Sequence, residues 1–339
     1  MKSADRILLA HGSGGRLTHS LVRDRFLPAF SNPFLATLSD SAVLPPLPPG
    51  RPAFTTDAFV VDPPIFPGGD IGHLSICGTV NDLAVAGARP LWLTWALILE
   101  EGCEESLLAT IVEGTARAAS EAGVAIVAGD TKVVPRGKGD RVYAITAGLG
   151  VVPPGRDLGD HRVKPGDALL ISGTLGDHGA TIMAWRHQIE GEELRSDCAA
   201  VSSLAEALLA SGVEVHAMHD PTRGGVAVTC NEVALRCGAR LVIDEIALPI
   251  RPQVTATCEL LGLDPLYLAS EGRILAWVAG SDAGRAVEAM RAHPLGKGAA
   301  LIGRVEPSPA GSAPVVLRTV TGSERPVDLL SGMDLPRIC

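Results

Sequence analysis

The chain has 339 residues, 46% of them hydrophobic, enough for two domains with substantial cores. Its 38 glycines and 25 prolines, with aromatics at only 4%, favour a turn-rich α/β protein over a coiled coil or a disordered chain. A net charge of −9 without any basic run argues against a nucleic-acid partner, and the longest apolar run, Pro90–Leu99, is too short to cross a membrane.

The N-terminal apolar run, Ile7–Ala10, is too short for a signal peptide, so the chain is expected to be soluble and cytoplasmic. Residues 53–61 read as a strand. Gly68-Gly69-Asp70 then opens a helix that carries Ile71, Leu74, Val80 and Leu83 and stops at Gly87. Residues 90–99 read as a buried strand. Residues 104–122 read as a helix with acids in the first turn and Gly123 just past its end. Strands are expected at 125–128 and 142–149. Val152-Pro153-Pro154-Gly155 breaks the pattern and marks a domain boundary. A second series follows, with strands at 168–172, 240–243, 274–278 and 300–305 and helices at 202–210, 225–237, 253–260 and 282–292. The expected domains are 1–152 and 153–327, with a flexible tail at 328–339 that Gly332 loosens and Pro336 keeps from being helical.

Seven cysteines occur, an odd number with no CxxC pair, which argues against a zinc site or a disulfide framework. Six sit among apolar or small residues and read as buried and inert. Cys339 is the last residue. A terminal thiol suits a mobile nucleophile or carrier, because a tail of about 12 residues reaches roughly 40 Å. It equally suits an incidental cysteine. Its α-carboxylate opposes thiolate formation, which Arg337 would offset.

Five aspartates (Asp40, Asp57, Asp82, Asp130 and Asp220) stand at edges of apolar or small-residue stretches. Any one of them alone reads as a turn residue or a helix cap. Together they suit a Mg²⁺–phosphate site, because hard cations take carboxylate oxygens. The loop His11-Gly12-Ser13-Gly14-Gly15-Arg16 could present backbone N–H groups to phosphate, or be a plain turn. Gly224-Gly225 precedes a helix, whose N-terminus favours anions. Lys132 could meet phosphate and Glu271 could serve as a base, although a solvated role suits either residue taken alone.

These stretches, with Gly78-Thr79-Val80-Asn81-Asp82-Leu83, Gly129-Asp130-Thr131-Lys132, Ser172-Gly173-Thr174-Leu175-Gly176-Asp177-His178-Gly179, Asp220-Pro221-Thr222-Arg223-Gly224-Gly225 and the ending Pro336-Arg337-Ile338-Cys339, resemble the HypE family of carbamoyl dehydratases over essentially the whole chain. The aspartate and glycine motifs are shared with a wider ATP-binding superfamily that includes aminoimidazole ribonucleotide synthetase, selenophosphate synthetase and thiamine-monophosphate kinase. The terminal motif is the specific one. The chain departs from the family pattern at Ser13, His73 and Ser270.

The resemblance implies a two-domain α/β (α+β) ATP-binding fold of the aminoimidazole ribonucleotide synthetase type, dimerising through the N-terminal sheet. It implies ATP-dependent dehydration of a carbamoyl group on Cys339 to a thiocyanate, in the maturation of [NiFe]-hydrogenase. HypF would load the carbamoyl group and a HypC–HypD complex would receive the cyanide. It implies nucleotide contacts at Gly12, Gly14, Gly15, Asn81, Asp82, Thr131, Arg223, Gly224 and Gly225. Mg²⁺ would be held by some of Asp40, Asp57, Asp82, Asp130 and Asp220, with Glu271 and Lys132 moving protons at Cys339. The tail should have at least two states, one inserted and one outward. Two other readings compete: a small-molecule kinase or synthetase with Cys339 incidental, and a non-catalytic maturation scaffold.

Overall fold

The computed structural model describes residues 6–189, 194–329 and 337–339. Two short helices, α1 (Arg16–Leu21) and α2 (Leu27–Ala29), are joined by a π-helical turn and precede β1 (Arg51–Phe59). A small ribbon of β2 (Ile65–Phe66) and β3 (Gly69–Asp70) leads into α3 (Ile71–Val85). Asp70 starts that helix as expected, its Oδ1 accepting the His73 N–H at 2.9 Å. Then come β4 (Arg89–Glu100), α4 (Glu105–Ala122), β5 (Ala125–Val134) and β6 (Val142–Val152). Gly123 closes α4 at φ +69°, donating to the carbonyls of Ala119 and Ser120.

These strands form one sheet in the order β1-β6-β4-β5. The β4–β5 pair is parallel, because α4 carries the chain back across, and the other pairs are antiparallel. Helices α3 and α4 cover one face. Nearly every residue of α3 is buried, because the helix lies between this sheet and the second domain. Leu74, Ile76 and Val80 are wholly buried, each contributing ~2 kcal/mol. A Cβ at Gly72 would come within 2.3 Å of the Ile111 carbonyl, so only glycine lets α3 and α4 approach this closely.

The second domain holds β7 (Asp167–Ile171), α5 (Asp177–Arg186), α6 (Ser202–Ala210), β8 (Val215–His219), α7 (Gly225–Cys237) and β9 (Arg240–Asp244). It continues through α8 (Pro252–Leu261), β10 (Leu275–Ala279), α9 (Ala283–Arg291), β11 (Ala300–Glu306), β12 (Val315–Arg318) and β13 (Glu324–Pro326). Its seven-stranded sheet has the order β13-β12-β9-β11-β7-β10-β8. Separate apolar clusters fill its two faces, one with α7 and the other with α6 and α9. Among the described residues no helix is long and apolar enough to cross a membrane.

Four elements of the second domain carry no expectation from the pattern. The buried α5 is polar at its start, with Asp177 and His178 both at 0% exposure. Strand β8 contains His216, whose Nδ1 meets Asp167 Oδ2 at 2.7 Å in the core. A buried acid–base pair hides a strand from any reading of apolar alternation. Strands β12 and β13 lie beyond the last expected strand. β5 also runs six residues past its expected end, because it stays paired with β4 as far as Val134.

Of the expected tail, residues 330–336 lie outside the described residues. Its last three residues are docked rather than extended into solvent: Ile338 is 5% exposed and packs in the N-terminal core.

Candidate active site

A cleft of about 690 Å³ lies between the domains, lined by Asp57 from β1, Asp82 from α3, Asp220 and Arg223 from the turn after β8, Gly224, Glu271 and Cys339. Asp57 points from the helix-covered face of its sheet, where Thr79 Oγ1 donates to it at 3.3 Å. Asp82 accepts from Thr55 Oγ1 at 2.7 Å. Gly224 and Gly225 adopt φ of +74° and +59° at the start of α7, which leaves early backbone N–H groups of a 13-residue helix beside the cleft.

The electrostatics are lopsided. Burial, then the charge of Asp82, pushes Asp57 up to about 6. Burial, then Asp82, pushes Asp220 up to about 7. Glu271 is pushed well above the usual carboxylate range by burial first, then by Asp220, Asp197 and Asp57. Its Oε1 is buried without a hydrogen-bond partner. Four acids thus face one another with Arg223 as the cation that opposes them. Such a set is missing a positive charge. Oxygen donors of this kind, one of them orphaned, fit a hard divalent ion such as Mg²⁺.

The Cys339 thiol is raised by burial first and by Glu271 second, with Arg223 opposing. Arg337 does not take the part expected of it. Its guanidinium pairs with Asp140 and donates to the Val60 carbonyl at 2.9 Å, fastening the tail instead of facing the thiol.

The other expected residues lie elsewhere. Gly12, Gly14, Asp40, Asp130, Thr131 and Lys132 line a second cavity, against Phe26, Phe34 and Trp95. Lys132 is largely exposed and bonds Asp130 at 2.8 Å, and that bond holds the Asp130 carboxyl below its usual range. β1 and β5 are opposite edges of one sheet, three strand spacings or about 14 Å apart. The register also sets Asp130 and Lys132 level with Ala96 and Ile98, on the face that α3 and α4 leave open, whereas Asp57 is on the covered face. Within one chain, therefore, Lys132 and Glu271 do not meet. Gly15 is exposed at the start of α1. Asn81 spends its amide on protein backbone, donating to Ala199 and Glu271 carbonyls at 3.1 and 3.2 Å and accepting from Val201 N–H at 2.8 Å. Gly225 packs against the carbonyls of Leu266 and Leu268.

Two residues without an assigned role matter here. Asp197 accepts the Glu271 N–H at 3.1 Å and so positions the acid. His178 contacts Ser196 Oγ through Nδ1 at 2.8 Å and the Ile338 carbonyl through Nε2 at 2.9 Å. Burial pushes its pKa down to about 4, which keeps it neutral, with Nε2–H donating to the tail. His178 stands within a family motif, so its position was visible, although nothing in the motif indicates a tail contact.

The chain matches the AIR synthase related N-terminal domain over residues 38–152 and the C-terminal domain over residues 164–316. It is 50% identical over 339 residues to the carbamoyl dehydratase HypE of Rhodobacter capsulatus, covering 99% of this chain and 98% of that one. The chain belongs to the HypE family. Its fold superposes on the hydrogenase maturation protein HypE in complex with ATP at a TM-score of 0.93, with 44% identity over 98% of this chain and 99% of the other. It is also similar to a HypE chain solved in a HypE–HypF complex, at a TM-score of 0.79 and 42% identity over 91% and 99%. The expected two-domain fold of the aminoimidazole ribonucleotide synthetase type is thus borne out, and the acid-lined cleft of this HypE member is the one into which its own C-terminus is inserted.

Proposed function

We propose that this chain is an ATP-dependent carbamoyl dehydratase that converts S-carbamoyl-Cys339 to S-cyano-Cys339, in the cytoplasm, during hydrogenase maturation. The observation that carries the reading is that Cys339 lines the same cleft as Glu271, Asp57, Asp82 and Asp220. A kinase with an incidental terminal cysteine has no need to bury that residue among its acids.

The chemistry balances without an external reductant. The carbamoyl oxygen takes the γ-phosphoryl group of ATP, ADP leaves, and one N–H proton is lost. The C–O bond then breaks, phosphate departs with the oxygen, and the second N–H proton is lost as the C≡N bond forms. Thiocarbamate and ATP thus yield thiocyanate, ADP and phosphate. Asp57, Asp82 and Asp220 are the residues suited to hold Mg²⁺, which would supply positive charge against the phosphates. Glu271 is the proton acceptor at the carbamoyl nitrogen. Desolvation makes it a stronger base than a surface carboxylate once it is ionised. The early N–H groups of α7 and the Arg223 guanidinium orient phosphate oxygens. Docking of the tail makes the transfer intramolecular and keeps water from the phosphorylated intermediate.

Lys132 enters this reading through a second copy. The open face of the N-terminal sheet carries Phe54 at 72% exposure and partly exposed Trp92, Ile98, Tyr143, Ile145 and Leu149. Two copies joined through this face form the homodimer and present Lys132, Asp130, Asp40 and the glycine loop of one to the cleft of the other. HypF is the proposed source of the carbamoyl group, supported by the HypE–HypF complex of a relative. A HypC–HypD complex is the proposed acceptor of the cyanide.

The test is to carbamoylate the purified protein, add Mg·ATP, and follow the C-terminal peptide by mass spectrometry. ATP-dependent loss of one water at Cys339 supports the reading. An unchanged carbamoyl-Cys339, with ATP still consumed, rejects it.

A further inference from the structure

Beside the cleft, but outside the chemistry above, three soft ligands converge. His73 and Cys77 are one helical turn apart on α3 and therefore share a face. Cys198 belongs to the segment between α5 and α6, 121 positions further on in the chain. One ring nitrogen of His73 and the two sulfurs all lie within 4.8 Å of one another. Zinc bonds of about 2.3 Å to sulfur and 2.0 Å to nitrogen set tetrahedral ligands about 3.5–4 Å apart, so only side-chain adjustment is needed. Cys77 is 1% and Cys198 7% exposed. His73 is half-buried, and its Nδ1 is buried without a hydrogen-bond partner.

We propose that His73, Cys77 and Cys198 form a site for a thiophilic divalent cation, Zn²⁺, with three protein ligands and a fourth position left for water. Two thiols and an imidazole select such a cation over Mg²⁺, which takes oxygen ligands. The imidazole of His73 and the thiols of Cys77 and Cys198 face one another, so one cation can meet all three. Binding of the cation expels the thiol protons.

The site ties together two parts that the active cleft depends on. The segment bearing Cys198 also carries Asp197, which holds the Glu271 N–H, and Ser196, which contacts the His178 that grips the tail. It is already joined to α3 through Asn81. Zinc bridging α3 to Cys198 would fix that segment, and with it the backbone of Glu271.

The test uses the full chain, reduced and stripped of metal with a chelator, and titrated with Zn²⁺ or with Co²⁺ as a spectroscopic probe. One Co²⁺ per chain should bind with thiolate-to-cobalt charge-transfer and tetrahedral ligand-field bands. Zn²⁺ should abolish these bands and excess Mg²⁺ should not. The bands should survive Cys339→Ala and vanish in Cys77→Ser. His73→Gln changes a half-buried side chain and keeps both thiols, so it remains usable should Cys77→Ser not fold; it should weaken Zn²⁺ binding by about tenfold or more in competition with a chromogenic chelator. Absence of the bands from the parent overturns the proposal. So do bands that depend on Cys339 alone, His73→Gln affinity equal to the parent's, or a Cys77–Cys198 disulfide formed on oxidation in a protein that takes up no metal when reduced.

Discussion

The backbone N–H of Val60 donates to the terminal carboxylate of Cys339 at 3.1 Å. Two residues on, the Asp62 N–H donates to the Arg337 carbonyl at 3.2 Å. The last three residues therefore lie along the chain that leaves β1, the strand carrying Asp57. His178 holds the intervening Ile338 carbonyl, and Arg186 holds that of Arg337. All three terminal backbone carbonyls are satisfied by the protein, and the thiol is left to face the cleft.

Loosening this seat should expose the thiol. Loss of one such hydrogen bond is worth about 1–1.5 kcal/mol, roughly a tenfold change in the docked population. In His178→Ala, iodoacetamide should alkylate Cys339 about ten times faster than in the parent, read from the C-terminal peptide by mass spectrometry. Equal rates would mean that the seat does not control access to the thiol.

Glu271→Gln keeps the shape of the side chain and removes the base. Conversion of the carbamoylated tail should fall by about 10²–10⁴-fold, with the melting temperature unchanged or higher, because an acid crowded by Asp220, Asp197 and Asp57 is gone. Conversion at the parental rate would reassign the base.

The acids of the cleft make metal binding pH-dependent. Asp57 and Asp220 titrate at about 6 and about 7 in the fold, against an ordinary 3.8. Their folded pKa values are the higher ones, so they stabilise the metal-free fold at low pH, and that stabilisation is lost as pH rises through about 6 to 7. His178, held neutral down to about 4, works in the opposite sense below 6.5, and the two carboxyls outweigh it. Mg²⁺ must displace their protons. Its stabilising shift in melting temperature should therefore be larger at about pH 8 than at about pH 5.5. An equal shift at both would place the ion elsewhere.

If Lys132 acts on a partner's cleft, defects in Lys132 and Glu271 should complement. Lys132→Ala and Glu271→Gln proteins, each inactive alone, should regain about a quarter of parental activity after unfolding and co-refolding, because half the dimers are mixed and each mixed dimer has one intact site. A charge on the open sheet face, as in Trp92→Glu, should yield monomers in sedimentation and abolish that recovery. Failure of the mixture to recover activity would mean that Lys132 does not act on a partner's cleft.

Most of the first domain is legible because its elements obey local rules. The Asp70 cap, the Gly123 stop and the long apolar β4 are each written in adjacent residues. The second domain is less so: α5 and β8 bury Asp177, His178 and His216, and polar groups paired in the core look like surface in a linear chain. The same limit applies to the site. Cys339, Glu271 and the aspartates are singled out by type and setting, but Asp197 and His178 act only through contacts to backbone far away in sequence.

The composition of the chemistry, namely a terminal thiol, clustered carboxylates and glycine turns ahead of a helix, is legible along the chain, because residue type and near spacing set what a side chain can donate, accept or bind. Which of these groups meet depends on how the segments pair and pack. Strand order and pleat assign Asp57 and Lys132 to opposite edges and faces of one sheet, and the crossing of α3 with the segment before α6 brings Cys198 to His73 and Cys77. Neither relation has a local signature, since both arise from pairing and packing between segments whose separation in the chain says nothing of their distance in space.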